Sequence, residues 1–211
     1  MPRAITDEAK DERRRMILVA ALDEFFEKGF GSARMDDIAA RTEISKAALY
    51  LYFENKEALF LALIRELTTS KMARLFSVLD SADSFRDAMN GLAIFLPEII
   101  RTSPMPKLLK IMVGESQSFE QIKLHYRENV IDQILGHFMQ FLERHRATGE
   151  INFDDAEITA KLVISPVALN AVWRVLFGLE EVGEDKLAAM FRTHADFMIK
   201  ALSTDGAPDA I

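Results

Sequence analysis

Ser45 is followed by Lys46-Ala47-Ala48-Leu49-Tyr50-Leu51-Tyr52-Phe53. The polar members of this run suit recognition of duplex DNA rather than bond-making chemistry. A lysine reaches phosphate or the acceptors of guanine, a small residue such as Ala47 or Ala48 permits close approach and can touch a thymine methyl group, and tyrosine hydroxyls donate to phosphate oxygens. To act together these groups must share the outer face of one helix. Ser45 is a good N-cap, its hydroxyl able to accept from backbone N–H groups that lack an intrahelical partner, so the pattern predicts a helix over 46–53. Leu49 and Phe53 stand four apart and share an inner face, for which Phe25, Phe26, Ile38 and Ile44 are the expected apolar surface. Lys46, Ala47, Tyr50 and Tyr52 are then expected to point outward.

The neighbouring elements must hold that helix in place. Residues 35–41 predict a short helix, apolar on one side through Met35, Ile38 and Ala39, and a turn of Thr42, Glu43 and Ile44 joins it to the next: a helix-turn-helix. Asn55 is expected to cap a third helix, with Lys56 in its first turn, where free N–H groups already attract phosphate. Upstream, residues 13–28 carry two adjacent apolar stripes, Ile17, Ala21 and Phe25 beside Leu18, Leu22 and Phe26, and Gly29 is the expected left-handed C-cap.

Taken together, Ile17-Leu18 with Ala20-Ala21, Phe25, Gly29-Phe30, Ile38-Ala39, Ser45-Lys46, Leu49-Tyr50, Tyr52-Phe53, Lys56-Glu57 and Leu59 resemble the N-terminal domain of the tetracycline-repressor (TetR) family of one-component bacterial transcription regulators. The resemblance covers about the first quarter of the chain at motif level. It implies a DNA-binding homodimer, more commonly a repressor, and a cavity in the C-terminal part. Three positions depart from the usual pattern. Thr42-Glu43 replaces Ala-Gly in the turn, putting a non-glycine in a left-handed conformation at a cost of roughly 1 kcal/mol. Ala47-Ala48 replaces Gly-Thr, so specificity leans on Lys46, Tyr50 and DNA shape. Ala33-Arg34 replaces the usual Thr or Ser cap; Arg34 caps poorly but is a candidate phosphate or base contact. The expected DNA-binding set is thus Arg34, Ser45, Lys46, Ala47, Ala48, Tyr50, Tyr52 and Lys56.

Bulk properties narrow the class. The chain has 211 residues, 49% of them hydrophobic, enough for a packed core, and no cysteine, which excludes disulfides and thiolate metal sites and fits a cytoplasmic location. The first twenty residues are charged and every long apolar run is interrupted, so neither a signal peptide, a spanning helix nor a membrane partner is expected. The net charge is -7, of which residues 1–60, with ten Lys or Arg and twelve Asp or Glu, carry only -2. For phosphate binding the local field decides: Arg34, Lys46 and Lys56 favour it, while Asp36, Asp37 and Glu54 weaken it. His125, His137, His145 and His194 form neither a Glu-x-x-His nor a His-x-x-x-His pair, Ser116 and Ser118 lack a glycine elbow, and no glycine-rich phosphate loop occurs. No catalysis, metal or cofactor is expected.

The remainder predicts further helices and no strand alternation, giving an all-α chain of about nine helices. Its expected parts are an N-terminal three-helix helix-turn-helix domain (1–55), a connecting helix (56–79), a C-terminal ligand-binding and dimerisation domain (80–203) and a disordered tail (204–211). The stretch 160–179 is apolar nearly all round, so it must be buried on two sides. With the last helix it predicts a four-helix dimer interface through Val163, Val167, Asn170, Ala171, Arg174, Leu187, Phe191, His194, Phe197 and Met198, as the resemblance also implies. Two-fold symmetry would then set two recognition helices roughly 34–36 Å or a little more apart on a palindromic operator. A small apolar or amphipathic effector is expected to bind among Phe95, Ile99, Met105, Leu109, Met112, Phe119, Tyr126 and Trp173, oriented by Ser116, His125, Asn129 or Asn170. Met139 is a further candidate, although such side chains at helical spacing more often fill a core. The rival reading is a helical small-molecule carrier or interaction module with a non-functional helix-turn-helix.

Overall fold

The computed structural model describes residues 6–114, 120–177 and 183–204, and these are helical almost throughout. They divide between two compact units, Met1–Leu67 with Lys107–Tyr126, and Thr68–Pro106 with Arg127–Ile211.

The first unit holds α1 (Asp7–Lys28), α2 (Met35–Arg41), α3 (Lys46–Tyr52), the start of α4 (Lys56–Asp80), α6 (Met105–Gly114, from Lys107 onward) and α7 (Glu120–Tyr126). Helix α1 begins at Asp7, not at Arg13, because Thr6 caps it, its hydroxyl accepting from the Ala9 N–H at 3.3 Å, and Asp7 and Glu8 sit at the positive end of the helix dipole. Its opening turns are solvated and carry no apolar stripe that a sequence pattern could register. The helix stops at Gly29 with φ 77° and ψ 155°, so the glycine is required as expected, but in an extended mirror-image conformation rather than the left-handed helical one. Ile17, Leu18, Ala21 and Phe25 are buried, and the rings of Phe25, Phe30 and Phe60 meet pairwise at 5.0, 5.4 and 5.2 Å. Phe26 does not join the surface under α3: the ammonium groups of Lys107 and Lys110 lie over its ring at 5.3 and 4.4 Å, and Lys107 pairs with Asp23 at 2.8 Å.

A charged clamp joins α1 to α2. The Glu24 carboxylate is 0% exposed; Arg41 donates to its Oε2 at 2.7 Å and also bonds Glu27, while Lys28 lies 2.6 Å from Glu24 Oε1 and 2.9 Å from Asp37. The carboxylates of Glu24 and Asp37 raise the pKa of Lys28. The two glutamates, Glu27 foremost, raise that of Arg41, and Lys28 holds Asp37 below the usual carboxylate value. The orientation of α2, and so the angle at which α3 leaves it, rests on this network as well as on apolar burial.

The second unit packs the end of α4, α5 (Phe85–Thr102), α8 (Asp132–Ala147), α9 (Ala156–Phe177) and α10 (Glu184–Leu202) around Phe85, Leu92, Phe138, Phe141, Phe191 and Ile199. Helices α7 and α8 are joined without a break by a π-helical turn, Arg127–Ile131, which makes nine continuous helical stretches among the described residues. Glu150 ties the unit together: Oε1 accepts from the Phe85 N–H at 2.7 Å, at the start of α5, and Oε2 lies 2.6 Å from Nδ1 of the buried His145. Pro97 and Pro166 each interrupt a helical ladder; at the second, the Ser165 hydroxyl donates at 2.9 Å to the Leu162 carbonyl that a proline cannot serve.

Contrary to the expectation that no stretch could span a bilayer, α9 is long and apolar enough to cross one by length and composition. Its Ala160, Val163 and Asn170 are buried within the unit, and an ion pair between Lys161 and Glu157 lies on its surface. One face of α9 thus belongs to the core of the unit, and the rest of the helix stands outside it.

Candidate nucleic-acid interface

The turn between α2 and α3 is a Schellman closure built without glycine. Ile44 N–H donates to the Ala39 carbonyl at 3.2 Å and Glu43 N–H to that of Ala40 at 3.3 Å, with Glu43 at φ 53° in the left-handed region. The Thr42 hydroxyl adds bonds of 3.1 Å to the carbonyls of Ile38 and Ala39. These contacts offset the strain that the sequence predicts for a non-glycine here. Ser45 then caps α3, its Oγ accepting from the Ala48 N–H at 3.1 Å, and Asn55 caps α4, accepting from Ala58 N–H at 2.7 Å.

Leu49 is 0% exposed, as expected of the inner face; α3 ends at Tyr52, one residue earlier than expected, and Phe53 is buried from the extended C-cap position instead of from the helix. Lys46, Ala47 and Tyr50 are exposed, Ala48 and Tyr52 are half-buried at its flanks, and Arg34 stands exposed at the start of α2 with no side-chain cap bond. Lys46 is paired with Asp36 at 2.8 Å, which raises its pKa. Because both partners are more than half exposed, solvent screens the pair and a phosphate oxygen can replace the carboxylate. One outward side chain had no place in the expected set: Leu51, 86% exposed. Its signal was its position two residues past buried Leu49, on the side of the helix that cannot face the core.

Lys56 does not present a free ammonium to phosphate. Its Nζ donates to the carbonyls of Phe30, Gly31 and Ala33 at 2.6, 3.0 and 3.1 Å and sits 4.6 Å from the centre of the Phe30 ring. Three protons meet three acceptors, and the lysine ties the start of α4 to the segment before α2.

The residues expected to hold an effector are divided between the two units. Leu109, Met112, His125 and Tyr126 are half-buried in the first, and burial pushes the Tyr126 phenol up to about 12. In the second, Ile99 and Met105 are half-buried, but Phe95 belongs to the core and Asn170 is buried with its amide donating to the Pro166 carbonyl at 2.7 Å. Asn129 is exposed, and Trp173 is exposed and packs against Phe177 at 4.7 Å between ring centres. Ser116 and Phe119 lie outside the described residues. Phe95 and Asn170 are thus enclosed within the second unit, and Asn129 and Trp173 are exposed.

The expected interface set is corrected more sharply. Val163, Asn170, Leu187, Phe191 and Met198 are buried inside the second unit, where they are spent on its own core; Val167, Ala171, Arg174 and His194 are half-buried, the last bonded to the Val163 carbonyl at 3.0 Å. Only Phe197 of the set is well exposed. The outward face of α9 instead carries Ile158, Leu162, Leu169, Val172, Trp173, Leu176 and Phe177.

Comparison with known proteins places this geometry. Residues 17–63 match the family described as "Bacterial regulatory proteins, tetR family", and residues 87–201 match the "AefR-like transcriptional repressor, C-terminal domain". The nucleoid occlusion factor SlmA of Photobacterium profundum is 31% identical over 160 residues, covering 73% of this chain and 80% of its own length. Among solved structures, a TetR-family regulator from Mesorhizobium loti MAFF303099 superposes with a TM-score of 0.76 at 18% identity, over 94% of this chain and 100% of that one. The flavonoid-responsive regulator FrrA superposes with a TM-score of 0.69 at 26% identity, over 93% and 100%. With the first family match spanning the helix-turn-helix and the second more than half of the chain, this chain belongs to the TetR family of bacterial regulatory proteins, DNA-binding transcription regulators rather than enzymes.

Proposed function

We propose that the protein acts as a homodimeric repressor that places the outer face of α3 in successive major grooves of a palindromic operator and leaves it when a small, mainly apolar effector binds. The observation that carries the reading is that α3, capped by Ser45, buries Leu49 and is followed by a buried Phe53 at its C-cap, while Lys46, Ala47 and Tyr50 point outward. Arg34 stands exposed at the start of α2, and Tyr52 and Ala48 are half-buried at the flanks of the outward face of α3. The description of the C-terminal match as a repressor domain supports the sign, and the responsiveness of FrrA to flavonoids supports a small-molecule signal.

Dimerisation follows from the outward face of α9. Seven large apolar side chains from Ile158 to Phe177, together with Phe197 of α10, stand exposed on two helices of one unit. A contiguous apolar surface of this kind is what a soluble chain covers with a partner, and a second copy is self-complementary about a two-fold axis. Two half-sites bound at once then supply the affinity that a locally acidic helix-turn-helix cannot reach alone.

A gel shift with duplex from the region upstream of the protein's own gene tests the reading. Tyr50→Ala and Lys46→Ala are expected each to weaken binding about tenfold, the usual worth of a contact to DNA being roughly 1–3 kcal/mol. Undiminished binding by both variants would remove α3 from the interface. For the effector, lipophilic compounds that raise the melting temperature are expected to release the duplex; stabilisation without release would break the proposed coupling.

A further inference from the structure

Among the described residues Leu51 is the most exposed large apolar side chain, 86% open to solvent. A single solvated leucine on a protein surface is ordinary; this one stands on the helix whose outward residues include Lys46, Ala47 and Tyr50. Ala47 is itself exposed and lies four residues before Leu51, so the two share one stripe of α3. The hydroxyl side chain that would make a polar stripe is missing at both positions.

Base edges in the major groove are a pattern of donors and acceptors with one apolar feature, the C5 methyl group of thymine. A leucine over any other base edge covers polar atoms without bonding them, which costs affinity; over thymine it removes a methyl group from water. Resting on the reading of α3 as the groove helix, we propose that Leu51, with Ala47 beside it, selects thymine through its methyl group, so that recognition depends on apolar contact at one or two fixed positions of each half-site. The ligand feature is the methyl group itself. Cytosine, which lacks it, is disfavoured there, and 5-methylcytosine, which carries it at the same ring position, is tolerated better than cytosine.

The test uses the full chain. A pool of random duplexes is taken through rounds of binding to obtain a preferred half-site, and each thymine of that duplex is then replaced in turn by deoxyuridine, which differs only in the methyl group. Wild-type protein is expected to lose about fourfold in affinity at one or two thymines per half-site, the worth of one methyl group withdrawn from water. Leu51→Ala, at a side chain too exposed to matter for folding, is expected to bind the parent duplex more weakly and to show no uridine effect at those positions. Replacing the same thymine by cytosine is expected to weaken wild-type binding, and 5-methylcytosine to recover part of the loss. If a duplex is enriched but uridine is neutral throughout, or Leu51→Ala keeps the full uridine effect, the methyl reading is overturned while α3 remains the groove helix. If no sequence is enriched, both readings fall.

Discussion

Helices α3 and α9 both turn apolar side chains to solvent, yet the company those side chains keep differs. On the seven-residue α3, Leu51 and Ala47 are interleaved with Lys46 and Tyr50, and an acidic partner, Asp36, lies within reach. On the 22-residue α9, Ile158, Leu162, Leu169, Val172, Trp173, Leu176 and Phe177 form a long face on which the neighbouring charges, Lys161 and Glu157, neutralise one another. Exposed apolar area does not by itself name a partner; its admixture with charge does. A DNA groove offers phosphate oxygens, polar base edges and isolated methyl groups, and answers a mixed surface, whereas an unbroken apolar face is answered by another one.

The largest effect should come from breaking the α9 side of this contrast. Leu162→Glu combined with Leu169→Glu would set four carboxylates into the face between two copies and is expected to convert a dimer to a single chain of 23.9 kDa by light scattering. Duplex affinity should fall by about 10³-fold or more, the lower end of the gap between specific and non-specific binding. The protomer should stay folded, because both leucines are more than half exposed. A dimer that survives this double change would place the interface elsewhere.

Next in size is the clamp behind α3. Arg41→Ala removes one of the two cations on the buried Glu24 carboxylate and leaves Lys28 on the other oxygen at 2.6 Å, so a measurable loss of stability with the fold retained is expected. Urea unfolding followed by far-ultraviolet circular dichroism checks it; a change under ~0.5 kcal/mol would show the clamp to be ornamental. The pH dependence has two limbs. Asp37 has a lowered pKa in the folded chain, so its contribution is present above the ordinary value of 3.8 and is lost as the pH falls through the folded value. Lys28 has a raised pKa, so its contribution is present below 10.5 and is lost as the pH rises through the folded value. Between those limits the pair is expected to contribute evenly, and Asp37→Asn should flatten the acid limb.

The two helices were also unequally legible in sequence. For α3, a cap, a four-residue apolar spacing and a short length fixed the inward face; Leu49 lies where that pattern predicts, and Phe53 is buried just past the end of the helix. For α9, apolar residues occur on all sides, so the period that distinguishes inside from outside vanishes. The residues expected at the interface, Val163, Asn170, Leu187, Phe191 and Met198, are those the protomer buries for itself. Other features lack any local signal. Lys107 meets Asp23 across 84 positions, and nothing in the neighbourhood of either announces the other. Glu24 reads as one more charge on a helix surface until Arg41, 17 residues on, folds over it. Lys56 occupies a helix start that invites phosphate, and only the path of residues 30–33 shows that backbone carbonyls have taken its protons.

Lys56 and Lys46 therefore provide a paired test within the DNA-binding part. Lys46→Met should reduce the slope of log affinity against log salt by about 0.9, the contribution of one neutralised phosphate. Lys56→Met should leave the slope unchanged and lower stability by about 1–2 kcal/mol, since three carbonyls lose a charged donor. A fall in slope for Lys56→Met equal to that for Lys46→Met would return Lys56 to the interface.

The smallest effect, and the most specific to the mixed character of α3, concerns Asp36. In the unbound protein its carboxylate occupies the Lys46 ammonium at 2.8 Å, so a phosphate must displace it before the lysine can contribute. An exposed pair of this kind is weak, so Asp36→Asn should strengthen binding by no more than roughly threefold. The gain should be equal for the preferred duplex and for an unrelated one, because releasing a lysine to phosphate adds no information about sequence. The ratio of the two affinities, measured by competition at fixed salt, is then expected to stay constant while both rise. A gain confined to the preferred duplex would instead mean that Lys46 reaches a base edge, and that the carboxylate competes with guanine rather than with the backbone.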